Sequence, residues 1–331
     1  MPSLPNKPET AFRTLRRRLL RICSLILSAT LVLIALPASS PLARQDPGVA
    51  GRLLALPPAT AGTSRVAALK DLNVLLARHE GRAGAVILDT DSGVIYENGG
   101  EERFQLASVS KLYILVAYLD SIEREDRQAN EWELKMMTAM IEESDNRSAA
   151  DLWDELGEVK GVQEFLKSRR IETVEPPEVP EEWGEMKASA LEVGILLREL
   201  YDGRLLSHEH TRYALDLLGN IIDEQAWGVG AAQDGSGARQ TYLKNGWYPE
   251  EEGWTINSAG IIDSDSQDYV VVLLTDSQPS LEEGVGFIES AVRIFRDGLL
   301  SEGGPDPASS DLTPLRPVPV HPGRAAPADN P

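Results

Sequence analysis

The sequence predicts a mixed α/β fold of the α+β kind: an antiparallel sheet flanked by helices, with an all-helical lobe inserted into it. Two observations carry this. Hairpin patterns stand near both ends of a candidate domain over residues 63–302, and the long stretch between them runs with a mostly helical period. Strands from distant segments with helices between them are most simply joined as one sheet with a helical insertion.

The elements follow in order. Val66, Leu69, Leu72, Leu75 and Leu76 form one stripe and predict a helix from Thr63-Ser64 to His79. Ala83 to Asp89 and Gly93 to Tyr96 enclose Thr90-Asp-Ser-Gly93, the pattern of a hairpin. From Leu106 to about residue 200 the period is helical. Thr241-Tyr-Leu243 reads as a strand leading to a second hairpin, Ser258 to Asp263 and Tyr269 to Thr275 around Ser264-Asp-Ser-Gln267. Leu281 to Leu300 reads as the last helix, and no internal repeat is present.

Composition narrows the function. Of 331 residues 42% are hydrophobic, enough for a core, and the single cysteine cannot pair within the chain, which excludes a disulfide scaffold. The net charge is −20, yet residues 1–45 are basic, with Lys7, Arg13, Arg16, Arg17, Arg18, Arg21 and Arg44 against Glu9. The remaining body is polyanionic and repels nucleic acid phosphates and anionic headgroups alike. The basic cluster Arg13–Arg21, the uncharged run Ile22–Ala38 and the small residues after it have the layout of a secretory signal peptide, with an uncleaved N-terminal membrane anchor as the alternative. Residues 1–38 therefore predict export to the cell envelope or beyond. Residues 39–62, rich in Pro, Ala and Gly, predict a linker, and residues 303–331, with eight prolines, a disordered tail.

Three short motifs carry the chemistry. Ser108-Val-Ser-Lys111 puts an amine one helical turn from a hydroxyl, and a neutral lysine can take the proton that a serine must lose to become a nucleophile. Such a tetrapeptide is common by chance, but Phe104-Gln-Leu-Ala before it and Leu112-Tyr-Ile-Leu-Val after it set Ser108 at a helix start, where backbone N–H groups converge. Ser144-Asp145-Asn146 closes a helical run, and by itself equally suits the N-cap of the next helix. Lys244-Asn245-Gly246 lies on the candidate strand, where it is either an edge charge with a turn or a cation for a substrate carboxylate beside a close backbone approach.

Ser-x-x-Lys, then Ser-Asp-Asn, then Lys-x-Gly is the ordered set found in class A β-lactamases and penicillin-binding proteins. Across nearly all of residues 63–302 the chain resembles the class A β-lactamase-like serine hydrolases, including the Leu88–Gly93 hairpin, Phe104-Gln-Leu-Ala-Ser108, Ser258-Ala-Gly-Ile-Ile and the closing helix. The resemblance implies a β-lactamase/transpeptidase-like fold and an acyl-enzyme on Ser108. Lys111 would assist proton removal, Ser144 would relay a proton to the leaving nitrogen, and Asn146 would hold the substrate's side-chain amide. Lys244 would face the substrate carboxylate, with Asn245, Gly246 and Trp247 along the substrate. The N–H groups of Ser108 and Trp247 would form the oxyanion hole. The expected partner is a small-molecule or peptide acyl substrate, without cofactor, metal or nucleic acid. The expected activity is opening of a β-lactam amide. A cell-wall peptidase or esterase using the same serine, or a catalytically weak envelope-associated binding module, are the alternatives.

The chain also departs from the family. Class A enzymes carry a water-activating glutamate in a Glu-x-x-Leu-Asn motif. The matching region, residues 172–187, has six glutamates (Glu172, Glu175, Glu178, Glu181, Glu182, Glu185) and no such motif. Trp247 replaces a small hydroxyl residue, so an indole is expected at the mouth of the pocket, and the short span from Lys111 to Ser144 implies a trimmed lobe. His208-Glu-His210 lacks the further ligands of a metal site, and Gly228-Val-Gly230 lacks the rest of a dinucleotide fingerprint. Trp227, Trp247 and Trp254 suit a pocket wall or a core.

Overall fold

Strands from the two ends of the chain meet in one five-stranded antiparallel sheet of order β2-β1-β7-β6-β5. The computed structural model describes residues 65–300 apart from 172, 173, 236, 252 and 266. The expected leader (1–38), linker (39–62) and tail (303–331) lie outside the described residues. β1 (Arg82–Asp89) and β2 (Gly93–Asn98) form the first hairpin, and β5 (Ala238–Glu250), β6 (Gly253–Ser264) and β7 (Tyr269–Gln278) form a meander. β7 pairs back onto β1, with Val86 opposite Val272, which closes the sheet across the whole domain.

The strand period of two sorts the side chains onto two cores. Val86, Leu88, Ala259, Ile261, Val270, Val272 and Leu274 join the core under the helical lobe. Ala85, Ile87, Ile256, Ile262, Val271 and Leu273 join the other core, against α1 (Arg65–Ala77) and the last helix, α8 (Leu281–Leu299). The predicted stripe on α1 is narrower than expected: Ala68, Leu72 and Leu76 are buried, whereas Val66 is 39% exposed.

The predicted helical stretch contains α2 (Lys111–Arg124), α3 (Glu131–Glu142), α4 (Asn146–Leu156), α5 (Glu158–Ser168) and α6 (Ala190–Tyr201). Helix α7 (His208–Gly219) follows it. The stretch is not helical throughout. After α5 the chain runs as a loop to β4 (Lys187–Ser189), which pairs with β3 (Arg103–Gln105). Three prolines and a succession of glutamates between Glu175 and Glu182 explain the break, because proline removes a backbone donor and excludes the helix interior. Between Lys111 and Ser144 the chain has only α2 and α3, so this part of the lobe is small. α2 is its axis: eleven of its fourteen residues are buried.

Candidate active site

The segment before α2 is held on three sides. Phe104 packs into the core, the Leu106 N–H donates to the Met186 carbonyl at 2.8 Å, and the Asn257 amide donates to the carbonyls of Gln105 (2.8 Å) and Leu106 (3.2 Å). Ser108 sits in a 3₁₀ turn, Ala107–Ser110, that leads into α2 at Lys111. Ala107 has φ +49°, a left-handed conformation that disfavours a side chain and is kept only where the surroundings over-determine it. Those surroundings include β5. A methyl group placed on Gly246 would lie 2.7 Å from Leu106 O and Ser108 N and 2.8 Å from Val109 N, so the strand backbone runs directly against the nucleophile turn. This brings the backbone of Ser108 beside that of Gly246-Trp247.

Lys111, Ser144, Asn146 and Lys244 converge in one hydrogen-bonded cluster. The Lys111 Nζ donates to Ser144 O at 2.6 Å and Asn146 Oδ1 at 2.9 Å, and lies 3.1 Å from Ser144 Oγ. The Lys244 Nζ donates to the same Ser144 Oγ at 2.8 Å and to Asn245 O at 3.0 Å. One hydroxyl thus bridges two amines that start 133 positions apart in the chain. Ser144, between α3 and α4, has φ +56°, and this turn lets its carbonyl and its hydroxyl both face Lys111. Asp145 caps α4 by accepting from the Ser148 N–H at 2.7 Å, so the middle residue of the motif has the capping role and its neighbours face the amines.

Both lysines are held out of water, at 0% exposure for Lys111 and 1% for Lys244. Burial pushes the Lys111 amine well below its ordinary pKa, the Lys244 charge pushes it further, and Asp145 acts in the opposite direction. Burial brings Lys244 down to about 7. A neutral Lys111 has two N–H groups, which suit the Ser144 and Asn146 carbonyl-type acceptors, and a lone pair able to take a proton from a hydroxyl. Among the described residues the Ser108 hydroxyl makes no hydrogen bond.

The loop before β4 adds a residue that sequence periodicity does not reveal. The turn Trp183–Glu185 packs on the nucleophile turn, with Gly184 beside Ala107, and the Trp183 ring lies 5.1 Å from Lys111 Nζ. Arg103 fixes this loop by ion pairs to Glu175 (3.2 Å) and to Glu192 (2.8 Å), and the Trp153 indole donates to Pro180 O at 2.8 Å. The carboxylate that opposes the Lys111 shift is Asp145. The one sequence signal was a tryptophan beside a glycine within an acidic, proline-rich loop.

The two parities of β5 face different ways. Lys244 and Gly246 point to Ser144 and the nucleophile turn, whereas Asn245 and Trp247 point to the segment 225–230. Both donors of the Asn245 amide are used, on Gln225 O (2.8 Å) and Trp227 O (2.9 Å), so this side chain buckles a loop to the strand. The Trp247 indole packs edge-on against Trp227, with centroids 5.9 Å apart. It lies on the opposite face of the strand from Lys244 and packs against the second core, whereas the sequence placed the indole at the mouth of the pocket. Away from the site, His210 Nδ1 pairs with Glu123 Oε1 at 2.9 Å beside a groove of about 420 Å³, and no cluster of three metal-ligating side chains occurs among the described residues.

A serine in the turn leading into a buried lysine that shares one hydroxyl with a second buried lysine, on an antiparallel sheet with a helical lobe, suits a serine hydrolase that acts on amides. A family described as "Beta-lactamase enzyme family" matches residues 67–133 and 132–298, and the chain belongs to it. No curated protein sequence matches. Solved structures share the fold. A β-lactamase from Chitinophaga pinensis is 17% identical over 70% of this chain and 98% of its own, with TM-score 0.60. A class A β-lactamase from Mycobacterium abscessus is 23% identical over 69% and 97%, with TM-score 0.59. PBP-A is 19% identical over 69% and 94%, with TM-score 0.57.

Proposed function

We propose that this protein opens β-lactam amides by acylating Ser108, and that it works outside the cytoplasm. The observation that carries the reading is the Lys111–Ser144–Lys244 relay, in which two water-excluded amines share one hydroxyl. Neutral Lys111 takes the Ser108 proton as Oγ attacks the carbonyl carbon. The N–H groups of Ser108 and Trp247 hold the resulting oxyanion. The tetrahedral carbon then expels its nitrogen, which receives a proton from Ser144, and Ser144 is reprotonated from the Lys111 ammonium. The product is an ester on Ser108 with a free amine, and water cleaves the ester. PBP-A offers a parallel, since a variant of it, 21% identical to this chain, was solved as an acyl-enzyme complex with penicillin G.

A second reading, a peptidase or esterase with a long-lived acyl-enzyme, is favoured by residues 172–187, which carry no Glu-x-x-Leu-Asn motif for activating the deacylating water. Incubation with a fluorescent penicillin and then a chromogenic cephalosporin separates the two. Steady turnover that disappears in Ser108→Ala supports the first, and label without turnover supports the second. Neither label nor turnover overturns both and leaves a binding module. Export rests on the basic-then-apolar layout of residues 1–38, and recovery of full-length protein only from the cytoplasm of its host would refute it.

A further inference from the structure

We propose that Trp183 is a positioning residue of the acylation step, its indole forming the roof that keeps water off the Lys111 amine. This rests on the acyl-enzyme reading above, in which Lys111 Nζ receives the proton that leaves Ser108 Oγ.

Lys111 is fully buried, and two segments of the chain meet its Nζ. Ser144 and Asn146 supply three oxygens, Ser144 O at 2.6 Å, Asn146 Oδ1 at 2.9 Å and Ser144 Oγ at 3.1 Å. The loop before β4 supplies the Trp183 ring, 5.1 Å away. Trp183 itself is only partly buried, so part of its surface is in water while its ring lies over an amine that water does not reach. A ring so placed is the layer between the two. Its backbone is fixed to the nucleophile turn. The Met186 N–H donates to Trp183 O at 3.3 Å, the Met186 carbonyl accepts from the Leu106 N–H at 2.8 Å, and Gly184 lies beside Ala107.

The ring acts on the amine in two opposed ways. Its face attracts an ammonium, which strengthens the hold on a proton by about 2- to 30-fold. Exclusion of water weakens that hold, by up to about 10³–10⁵-fold for a fully buried lysine. Exclusion is the larger effect, and burial is the first cause that keeps Lys111 well below its ordinary pKa. The charged groups around the amine are Lys244 on β5, which acts with burial, and Asp145 before α4, which acts against it. Glu181, Glu182 and Glu185 flank Trp183 in the loop, and carboxylates brought within reach of the amine favour its charged form further. Opening the roof therefore has one sign: the amine becomes an ammonium, and Ser108 loses its proton acceptor.

The test compares labelling by a fluorescent penicillin at pH 6 and pH 8 in the wild type, Trp183→Ala, Trp183→Gln and Trp183→Phe. The wild type and Trp183→Phe, each with a ring over the amine, should label at similar rates at the two pH values. In Trp183→Ala and Trp183→Gln the rate at pH 6 should be about a tenth of that at pH 8 or less. Each readout is a ratio within one protein, so a general loss of activity cancels, and a merely structural role for the indole would leave the ratio unchanged. Should Trp183→Ala not fold, Trp183→Gln, which has a similar reach and no apolar face, carries the test. A wild-type ratio in both overturns the proposal while the acyl-enzyme reading stands. So does a ratio in Trp183→Phe that falls like that of Trp183→Ala. No label on the wild type at either pH overturns both readings.

Discussion

The two faces of β5 between Lys244 and Trp247 have opposite chemistry within four residues. One face carries an ammonium-forming amine and a glycine pressed on the nucleophile turn, with backbone distances that leave no room for a methyl group. The other carries an amide that buckles a loop and an indole that packs on a second indole. The strand period of two is the cause, and the lesson is that catalytic and packing side chains can alternate along one strand without sharing a surface. The catalytic face should tolerate little change, whereas the other face should respond with graded effects.

The comparison is broken most severely at Lys244. Lys244→Met removes one arm of the relay, and acylation should fall by about 10²–10⁴-fold, measured as the rate of fluorescent penicillin labelling. The same variant should unfold at higher denaturant, by on the order of 1 kcal/mol or more, because a methionine suits a site that water does not reach. A loss of both activity and stability would contradict the account of Lys244 as a buried, functionally costly amine.

Gly246→Ala is next. Its new methyl would meet three backbone atoms that cannot swing away, so the nucleophile turn must shift, and a displacement of that size costs about a hundredfold in acylation. Wild-type rates in this variant would show that the close approach has slack.

A pH profile tests the amines together. As pH falls below about 7 Lys244 gains its proton, and that charge pushes the Lys111 amine further down, so Lys111 stays the neutral proton acceptor. Acylation should therefore persist through that point instead of falling with the titration of Lys244, and labelling rates at pH 6 and 8 check it. The stability sign is opposite to that of a salt-bridged lysine. Lys244 titrates lower in the fold than in the unfolded chain, near 10.4, so the unfolded chain binds more protons between about 7 and 10, and stability should rise with pH across that window. Denaturation midpoints at pH 7 and 9 measure this, and the rise should shrink in Lys244→Met.

The smallest effect is expected on the other face. Asn245→Ala loses two hydrogen bonds to loop carbonyls, about 1–3 kcal/mol of stability, while the Lys244 side chain and Gly246 stay in place. Acylation should change by no more than a few-fold, and a loss as large as that of Gly246→Ala would show that the two faces are coupled.

Much of this was legible in the sequence because the signals are local. A hydroxyl and an amine three residues apart need only one turn of helix to meet, and alternating apolar residues announce the hairpins before any partner strand is known. The antiparallel sheet with its helical insertion follows from where those hairpins lie. The role of Asn245 was not legible, since its partners are carbonyls in an aperiodic segment twenty and eighteen residues away. Trp183 was missed for the same reason: a proline-interrupted loop has no period, so nothing in it says which side chain will turn to Lys111.

By itself, then, the sequence determined which residue types stand at which spacing, the polyanionic body after a basic first 45 residues, and the order of strands and helices. Only the tertiary structure decided that one serine hydroxyl would lie between two lysines, and that the amide and indole flanking them would turn to the other face. The physical reason is range. Backbone periodicity acts over a few residues and is written in the chain, whereas burial, which makes an amine neutral, exists only once distant segments have packed together.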